Sequence, residues 1–299
     1  MTDEPNDEKY LLPVDDGLHM SAWGYWARDK LAILARYIKS STKAMSSPKM
    51  YWRRRYYIDL LAGPGKSYVK GQKANIFLGS PLIALTDEVG FTDYIFVEEK
   101  RSRVDALTKR CAAARSILRR NVRILAGDCN ALIDQIVEEI NAVDQPPFGK
   151  TDWNSLGLAF LDPEGLELNW ETVIKLASLK RVDLLINFST GGLKRTALPA
   201  LRTESGEAQA DRFFGDTAWR EIPLQPDGRM PVNDWIKFYQ ERLTDSTNPP
   251  YQWGTPKSVK NSKGVEIYRL LFASKADLGI KLWEDALSKG PPQPKLPSL

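Results

Sequence analysis

Cysteine and histidine are nearly missing from this chain of 299 residues. The sequence has two cysteines, Cys111 and Cys129, and a single histidine, His19. Two cysteines in different predicted elements provide neither a disulfide framework nor the spacing of zinc ligands. A Ser-His-Asp triad or a histidine-based metal site would have to be built around His19 alone. The composition therefore disfavours hydrolases of the triad type and metalloenzymes, and we expect no metal site.

Long apolar runs are missing as well. No run approaches the roughly 18 residues that a membrane span requires, and 42% hydrophobic and 27% charged residues are ordinary for a soluble globular protein. The first five residues are acidic and polar, whereas a secretory signal peptide is basic and then apolar. We therefore expect a cytoplasmic protein that does not contact a membrane.

Acidic residues are scarce in one stretch of the chain. Residues 100–123 hold nine Lys and Arg but one acid, Asp105, although the net charge of the whole chain is only +4. A short basic cluster, Arg53-Arg54-Arg55, precedes the first apolar run. This cluster and a basic helix at 101–120 could bind the phosphates of a nucleic acid. A basic helix face is more often simply solvated, and we favour that interpretation.

Five short apolar runs alternate with helical stretches. The runs are Tyr57–Leu61, Tyr94–Val97, Val122–Leu125, Leu158–Leu161 and Val182–Ile186. Nearly continuous apolar strands separated by helices are typical of an α/β fold with a parallel sheet covered on both faces. Two later runs, at 251–259 and 265–272, are joined by a short turn and predict an antiparallel hairpin. A mostly parallel sheet of seven strands that ends this way is the Rossmann-like architecture of class I methyltransferases.

Composition divides the chain into parts. Residues 1–50 are predicted to form a tail and a helix, because apolar residues recur at helical spacing from about Gly17 to Ile38. Residues 51–290 are predicted to form the methyltransferase-like domain, with an aromatic-rich helical insertion at about 193–250. Residues 291–299 are rich in proline, which predicts a flexible tail.

The first strand is followed by a glycine-containing turn. Glycines at a strand end let the backbone turn tightly and approach a nucleotide. The third glycine of a dinucleotide-binding loop is missing, and Gly65-Lys66-Ser67 lacks the glycine five residues earlier that a phosphate-binding loop needs. We therefore predict a different nucleotide cofactor, contacted by Asp59, Ala62, Gly63, Pro64 and Gly65.

Acids end the next two strands. Glu98, followed by Glu99, lies where a carboxylate can accept hydrogen bonds from both hydroxyls of a ribose. Asp128, followed by Cys129, lies where methyltransferases accept a hydrogen bond from the adenine amino group, although an Asp here is equally suited to cap the next helix. Three successive strand ends thus predict S-adenosylmethionine as the cofactor, bound with the help of Glu98, Glu99, Asp128 and Cys129.

The fourth strand ends in Asp162-Pro163-Glu164. In amino-group methyltransferases an Asp-Pro pair at this place accepts hydrogen bonds from the target amine and orients its lone pair. A Pro-Tyr pair usually follows and stacks on a flipped base, but here Glu164-Gly165 follow, so nucleobase methylation has no local support. An Asp-Pro turn is also a common strand stop. Together with the acids above, we interpret Asp162, Pro163 and Glu164 as catalytic.

Polar and small residues end the fifth strand. Asn187, Ser189 and Gly191 lie at the carboxyl edge of the sheet, where substrates bind in open α/β folds. We therefore predict that these three residues face the substrate.

These stretches together resemble the three-Cys-motif partner protein family, TcmP. Its pattern, D-L-F-A-G-P-G, G-S-P-L-x-A, F-V-E, G-D-x-N, F-L-D-P-x-G-L and D-L-L-I-N-F, corresponds in order to 59–65 (with Leu61 for Phe), 79–84, 96–98, 127–130, 160–166 and 183–188. The resemblance implies a methyltransferase-like fold and a companion protein with a three-cysteine motif that resembles radical S-adenosylmethionine enzymes. It does not supply a substrate.

Two functions follow as hypotheses. The first is an S-adenosylmethionine-dependent methyltransferase that acts on a nitrogen or oxygen of an unknown acceptor, nucleic acid among the candidates. The alternative is a non-catalytic protein that docks the three-cysteine companion through its insertion. Docking surfaces carry Trp, Tyr and Arg anchors, a role that Trp219, Trp235, Tyr239 and Arg212 could fill.

Overall fold

The larger of the two sheets in the described chain contains five adjacent parallel strands. A computed structural model describes residues 7–47, 52–144, 155–201 and 208–289. The strands of the whole described chain are β1 (Ser21–Trp23), β2 (Arg54–Asp59), β3 (Lys66–Val69), β4 (Gln72–Leu78), β5 (Asp93–Glu98), β6 (Asn121–Ala126), β7 (Ser155–Leu161), β8 (Val182–Phe188), β9 (Gln252–Trp253), β10 (Lys257–Lys260) and β11 (Glu266–Ser274). All five predicted central strands are present, as β2, β5, β6, β7 and β8.

The order of the larger sheet is β10-β11-β8-β7-β2-β5-β6, and the short β9 also pairs with β11. Strands β2, β5, β6, β7 and β8 pair in parallel. Strand β11 runs antiparallel to β8 and to β10, so the late hairpin enters the sheet as predicted. The predicted α/β fold with a mixed sheet is confirmed.

Helices cover both faces of this sheet. They are α1 (Trp26–Met45), α2 (Ser80–Leu85), α3 (Arg101–Leu118), α4 (Cys129–Asp144), α5 (Trp170–Ser178), α6 (Thr190–Ala200), α7 (Gln209–Phe214), α8 (Val232–Asp245) and α9 (Asp277–Ser288). Alternate residues of β2 point to opposite faces, so Tyr57 belongs to the core that α1, α2, α3 and α9 cover, and Ile58 belongs to the core that α4, α5, α7 and α8 cover. No described helix combines the length and apolar character needed to cross a membrane.

The N-terminal helix begins and ends later than predicted. Residues Ser21–Trp23 form β1, and α1 runs from Trp26 to Met45. The helix continues through the Ser/Lys stretch because Ser41, Thr42 and Met45 are buried on its packed face. The hydroxyls of Ser41 and Thr42 are satisfied within the helix, by the carbonyl of Ile38. The prediction ended the helix at about Ile38, where the helical spacing of apolar residues was taken to end.

A second, three-stranded sheet was not predicted. Strand β1 pairs in parallel with β3, and β3 pairs antiparallel with β4. This sheet brings residues 21–23 next to the turn that follows β2. The N-terminal segment is therefore part of the same structure as the predicted cofactor loop.

The three aromatic residues predicted as anchors of the insertion pack into the core. Trp219, Trp235 and Tyr239 are buried within it, and the ring of Trp219 stacks on Phe214 at 5.3 Å. The indole nitrogen of Trp219 donates to Asp211 at 2.8 Å. The prediction of exposed aromatic anchors at 193–250 is therefore wrong for these three residues. Residues 202–207 of the insertion, residues 1–6 and the predicted flexible tail at 291–299 lie outside the described residues.

Candidate active site

The turn after β2 depends on its two glycines in different ways. Gly63 has φ +64° and Gly65 has φ +87°, in the left-handed region that favours glycine. A Cβ at Gly63 would meet nothing within 4 Å, whereas one at Gly65 would lie 3.3 Å from Leu107 and Leu82. Gly65 thus permits close packing on helices α2 and α3. Gly63 leaves its backbone open to a bound group.

Glu98 ties this turn to the end of β5. Its Oε2 accepts a hydrogen bond from the backbone N–H of Gly63 at 2.9 Å, and its Oε1 accepts one from the N–H of Lys100 at 2.8 Å. The side chain is 6% exposed. Each carboxylate oxygen has two acceptor positions, so both oxygens keep one position for a further donor.

Asp128 caps helix α4. Its Oδ1 accepts from the backbone N–H of Asn130 at 2.9 Å, as an N-cap side chain does. The neighbouring Cys129 is buried, and burial raises the pKa of its thiol to about 12. Cys129 lines the cleft as a neutral thiol, and the capping interpretation of Asp128 is confirmed alongside its position at the cleft.

Asp162 is held by an unexpected partner. The ammonium group of Lys30, on α1, contacts its Oδ1 at 2.6 Å and its Oδ2 at 2.5 Å. The amide of Asn187 donates to the same Oδ1 at 2.7 Å. Lys30 also lies 4.9 Å from the centre of the Tyr268 ring. The predicted acceptor residue is thus one member of a polar cluster, which we call the Lys30 cluster: Lys30, Asp162, Asn187 and Tyr268.

Asp59 lies behind the cleft. It is fully buried at the end of β2, and its Oδ1 accepts from the backbone N–H of Leu61 at 3.3 Å. Burial raises the pKa of its carboxyl to about 7; the charge of Asp162 adds to this effect and the Ser80 hydroxyl opposes it. Asp59 was predicted to contact a cofactor, but it does not line the cleft.

The other predicted residues surround one cleft of about 530 Å³ at the carboxyl edge of the parallel strands. Ala62, Gly63, Pro64, Gly65, Glu98, Glu99, Asp128, Cys129, Asp162, Pro163, Glu164, Asn187, Ser189 and Gly191 all line it. Glu164 pairs with Arg103 at 3.1 Å, and the hydroxyl of Ser189 caps α6 by accepting from the N–H of Gly192. Parallel strands end at the same edge, which is why residues from five strand ends meet.

Several lining residues were missed by sequence reasoning. They are Trp23, Trp26, Lys30, Arg103, Arg195 and Tyr268. One signal was present for Lys30, because it occupies the face of α1 that otherwise buries Ala27, Leu31, Leu34 and Ile38. A lone lysine on an apolar helix face needs a buried partner.

Lys66, in the Gly-Lys-Ser segment, does not face the cleft. Its ammonium group is fully buried 2.8 Å from Asp16 Oδ2, and Arg110 contacts the same carboxylate through Nε at 2.9 Å and Nη2 at 2.8 Å. Burial alone would raise the pKa of the Asp16 carboxyl, but hydrogen bonds from Arg110 and Lys66 outweigh it and lower the pKa to about 2. Arg110 also donates to the carbonyl of Pro64, which fixes the glycine turn.

The basic segments mostly serve the fold. On the predicted basic helix, Arg110 is buried, Arg103 pairs with Glu164, and Arg115 donates to the carbonyl of Val122. Arg54 pairs with Asp93 at 3.1 Å at the start of β2. The start of this six-residue strand lies about 17 Å from its end at the cleft, so the Arg53-Arg54-Arg55 cluster is at the opposite edge of the sheet.

No protein-family model matches the chain, and no curated protein matches it in sequence. Solved structures with a similar fold include the O-methyltransferase TomG from Streptomyces achromogenes in complex with S-adenosylmethionine, at 13% identity over 83% of this chain and 80% of that chain, with a TM-score of 0.43. An O-methyltransferase from Bacillus cereus in complex with S-adenosylhomocysteine has 13% identity, covers 82% and 81%, and has a TM-score of 0.41. Trm1 from Pyrococcus horikoshii with S-adenosylmethionine has 10% identity, covers 87% and 58%, and has a TM-score of 0.42. At such identities and TM-scores, the fold assignment rests on the strand order described above.

Proposed function

We propose that the chain is an S-adenosylmethionine-dependent methyltransferase. The observation that carries this proposal is the carboxylate of Glu98, bonded to the N–H of Gly63 at the edge of the cleft. The cleft lies beside the β2–β7 pair, where the strand order of the sheet reverses. Open α/β sheets bind nucleotide ligands at this switch point. Glu98 has one acceptor position left on each oxygen, which suits the two hydroxyls of a ribose.

The residues around the cleft fit this cofactor. The space in front of Gly63 is open, so a nucleoside can approach the backbone there. Glu98 and Glu99 would hold the ribose, Asp128 would accept from the adenine amino group, and Asp162 and Asn187 would face the acceptor. S-adenosylmethionine supplies a methyl group on a positively charged sulfur, which a nucleophile attacks in line. The protein's part is to bind both molecules, orient them and take up a proton.

Calorimetry of cofactor binding tests the proposal. We expect S-adenosylmethionine and S-adenosylhomocysteine to bind the purified chain and the Glu98→Gln variant to bind both roughly 10- to 100-fold more weakly, because a neutral amide replaces a charge-assisted acceptor. The matched control is Glu171→Gln, an exposed acid at the start of α5, which should bind as wild type does. Absence of binding to the wild-type chain, or equal weakening in both variants, contradicts the proposal.

The partner hypothesis has less support. The aromatic residues that would anchor a three-cysteine companion are buried, and the resemblance to the TcmP family stays a prediction. Nucleic acid as the acceptor also stays a prediction, because the Arg53-Arg54-Arg55 cluster lies at the far edge of the sheet from the cleft. The choice between a nitrogen and an oxygen acceptor depends on the Lys30 cluster.

A further inference from the structure

Aromatic residues from two parts of the chain line the cleft. Trp23 on β1 and Trp26 on α1 contribute from the N-terminal segment, and Tyr268 contributes from β11. Both tryptophans are half-buried, so each leaves part of its ring exposed to the cleft. Flat aromatic faces bind another planar ring well, by stacking or edge contacts.

The side chain of Trp26 lies against the backbone of Gly24. A Cβ at Gly24 would lie 2.0 Å from the Trp26 ring, so the indole packs directly over the turn between β1 and α1. No residue other than glycine leaves room for this packing. The indole of Trp26 therefore lies against the backbone of this turn, beside the cleft that Trp26 lines.

The polar end of the same space is the Lys30 cluster. Among the described residues, Oδ1 of Asp162 accepts hydrogen bonds from two donors, Lys30 and Asn187, whereas Oδ2 accepts one from Lys30 alone. The Asp162 side chain is 21% exposed, so Oδ2 keeps an accessible acceptor position. Oδ1 of Asn187, a residue 2% exposed, is buried with no hydrogen-bond partner in the described chain. Buried polar atoms are normally paired, so this cluster has room for a donor.

Charge distinguishes a hydroxyl acceptor from an amine. When a neutral amine takes a methyl cation, its nitrogen becomes positive, and the ammonium group of Lys30 would repel it. When a hydroxyl reacts, its oxygen becomes more negative as the proton leaves, and Lys30 would stabilise that charge. A hydroxyl can also donate to Asp162 and accept from Lys30 at once.

We propose that the methyl acceptor is a hydroxyl on a planar aromatic ring, with the ring between Trp23, Trp26 and Tyr268 and the hydroxyl at Lys30 and Asp162. This proposal rests on the proposed function. The hydroxyl oxygen forms a bond to the methyl carbon, and the sulfur–methyl bond breaks with its electron pair staying on sulfur. The hydroxyl proton passes to Oδ2 of Asp162 and then to water. The products are an aryl methyl ether and S-adenosylhomocysteine.

Three small probes separate the parts of this proposal. Catechol offers an aromatic ring with hydroxyls, 1,2-phenylenediamine the same ring with amines, and cyclohexane-1,2-diol hydroxyls without an aromatic ring. Binding of S-adenosylhomocysteine to the full chain is measured first by calorimetry, and its absence contradicts the proposed function. Each probe is then titrated into that complex, and methyl transfer from labelled S-adenosylmethionine is measured.

We expect catechol to bind at least tenfold more tightly than the other probes and to be the one that takes up label. If S-adenosylhomocysteine binds but catechol does not, the present inference is wrong while the proposed function stands. Preferred labelling of the diamine, equal binding of cyclohexanediol, or labelling confined to added RNA would also overturn it.

Variants separate the ring contact from the charge. Trp26→Leu should weaken catechol binding about tenfold and leave S-adenosylhomocysteine binding unchanged. Lys30→Met should lower the maximal rate of methyl transfer at least tenfold, and Lys30→Arg, which keeps the charge, should restore part of it. Lys275→Met is the matched control, because the ammonium group of Lys275 also lies over a tyrosine ring, at 4.8 Å from Tyr251, but Lys275 does not line the cleft.

Thermal unfolding checks that each variant is folded. If Lys30→Met is folded and transfers methyl groups at the wild-type rate, or if Lys275→Met lowers the rate equally, Lys30 does not stabilise the reacting oxygen. If Lys30→Met does not fold, the catechol affinities of Lys30→Arg and Trp26→Leu test the proposed acceptor site in its place.

Discussion

Replacing Asp59 by asparagine should make the protein more stable, and increasingly so as the pH rises. Asp59 is fully buried at the end of β2, and burial raises the pKa of its carboxyl from 3.8 to about 7. Between these two values the folded chain holds a proton that the unfolded chain releases. The free energy of unfolding of the wild-type protein therefore falls as pH rises through this range, and levels off above about 7.

The magnitude follows from the shift of the pKa. Each pH unit within the range costs about 1.4 kcal/mol, so Asp59 should remove roughly 3 kcal/mol of stability between pH 5 and pH 7. Asparagine has the same shape and keeps an oxygen for the N–H of Leu61, but it does not ionise. The stability advantage of Asp59→Asn over wild type should therefore grow by roughly 3 kcal/mol from pH 5 to pH 8.

Urea unfolding at pH 5, 6, 7 and 8 measures this difference. Asp183→Asn is a matched control, because Asp183 is partly buried and the pKa of its carboxyl is raised to about 6 by burial, against the hydrogen bonds of Ser274 and Tyr37. The gap between that variant and wild type should stop widening near pH 6 instead of pH 7. A gap for Asp59→Asn that is constant with pH, or that grows toward acid, would refute the reasoning.

Two further predictions concern packing. Gly192→Ala should lower the free energy of unfolding, measured in urea, by about 1–3 kcal/mol, because the new Cβ would lie 2.9 Å from the backbone of Gly165. Gly191→Ala should change the free energy of unfolding little, because its Cβ would lie 3.6 Å from the nearest atoms. Equal effects of the two variants would contradict this reasoning. Cys111 and Cys129 should react slowly with a thiol reagent at pH 8 and completely in denaturant, because burial raises both thiol pKa values to about 12; fast reaction of the folded chain would show that one thiol is accessible.

The central sheet could be predicted because β5, β7 and β8 are buried almost throughout and β2 and the edge strand β6 share their apolar character. Each of the runs that became β2, β5, β6, β7 and β8 is nearly continuous in apolar residues. Strand β4, by contrast, begins Gln72-Lys73-Ala74-Asn75, and its first three residues are exposed. Its pairing is determined by tertiary contacts with β3, and no period-two pattern predicts it.

The part of the candidate site that lies at strand ends could also be predicted from the sequence. Glu98, Asp128, Asp162 and Asn187 follow strand ends, and parallel strands bring their ends together. Lys30 is 132 residues from Asp162 in sequence, so its contact depends on how α1 packs on the sheet. The roles of Lys66 and Arg110 could not be predicted either, because their partner Asp16 lies in a segment without periodicity.

The contacts of the N-terminal segment set an order of events during synthesis. Asp16 forms an ion pair with Arg110, Lys30 forms one with Asp162, and Arg36 donates a hydrogen bond to the carbonyl of Ala286. A ribosome adds about 5–20 residues per second, so Lys30 waits roughly 7 to 26 seconds for a partner 132 residues later. Helix α1 leaves the ribosome before the strands on which it packs, and it can make all of these contacts only after Ala286 has been synthesised. The cleft is thus completed by a segment that is made earlier than the strand ends it covers.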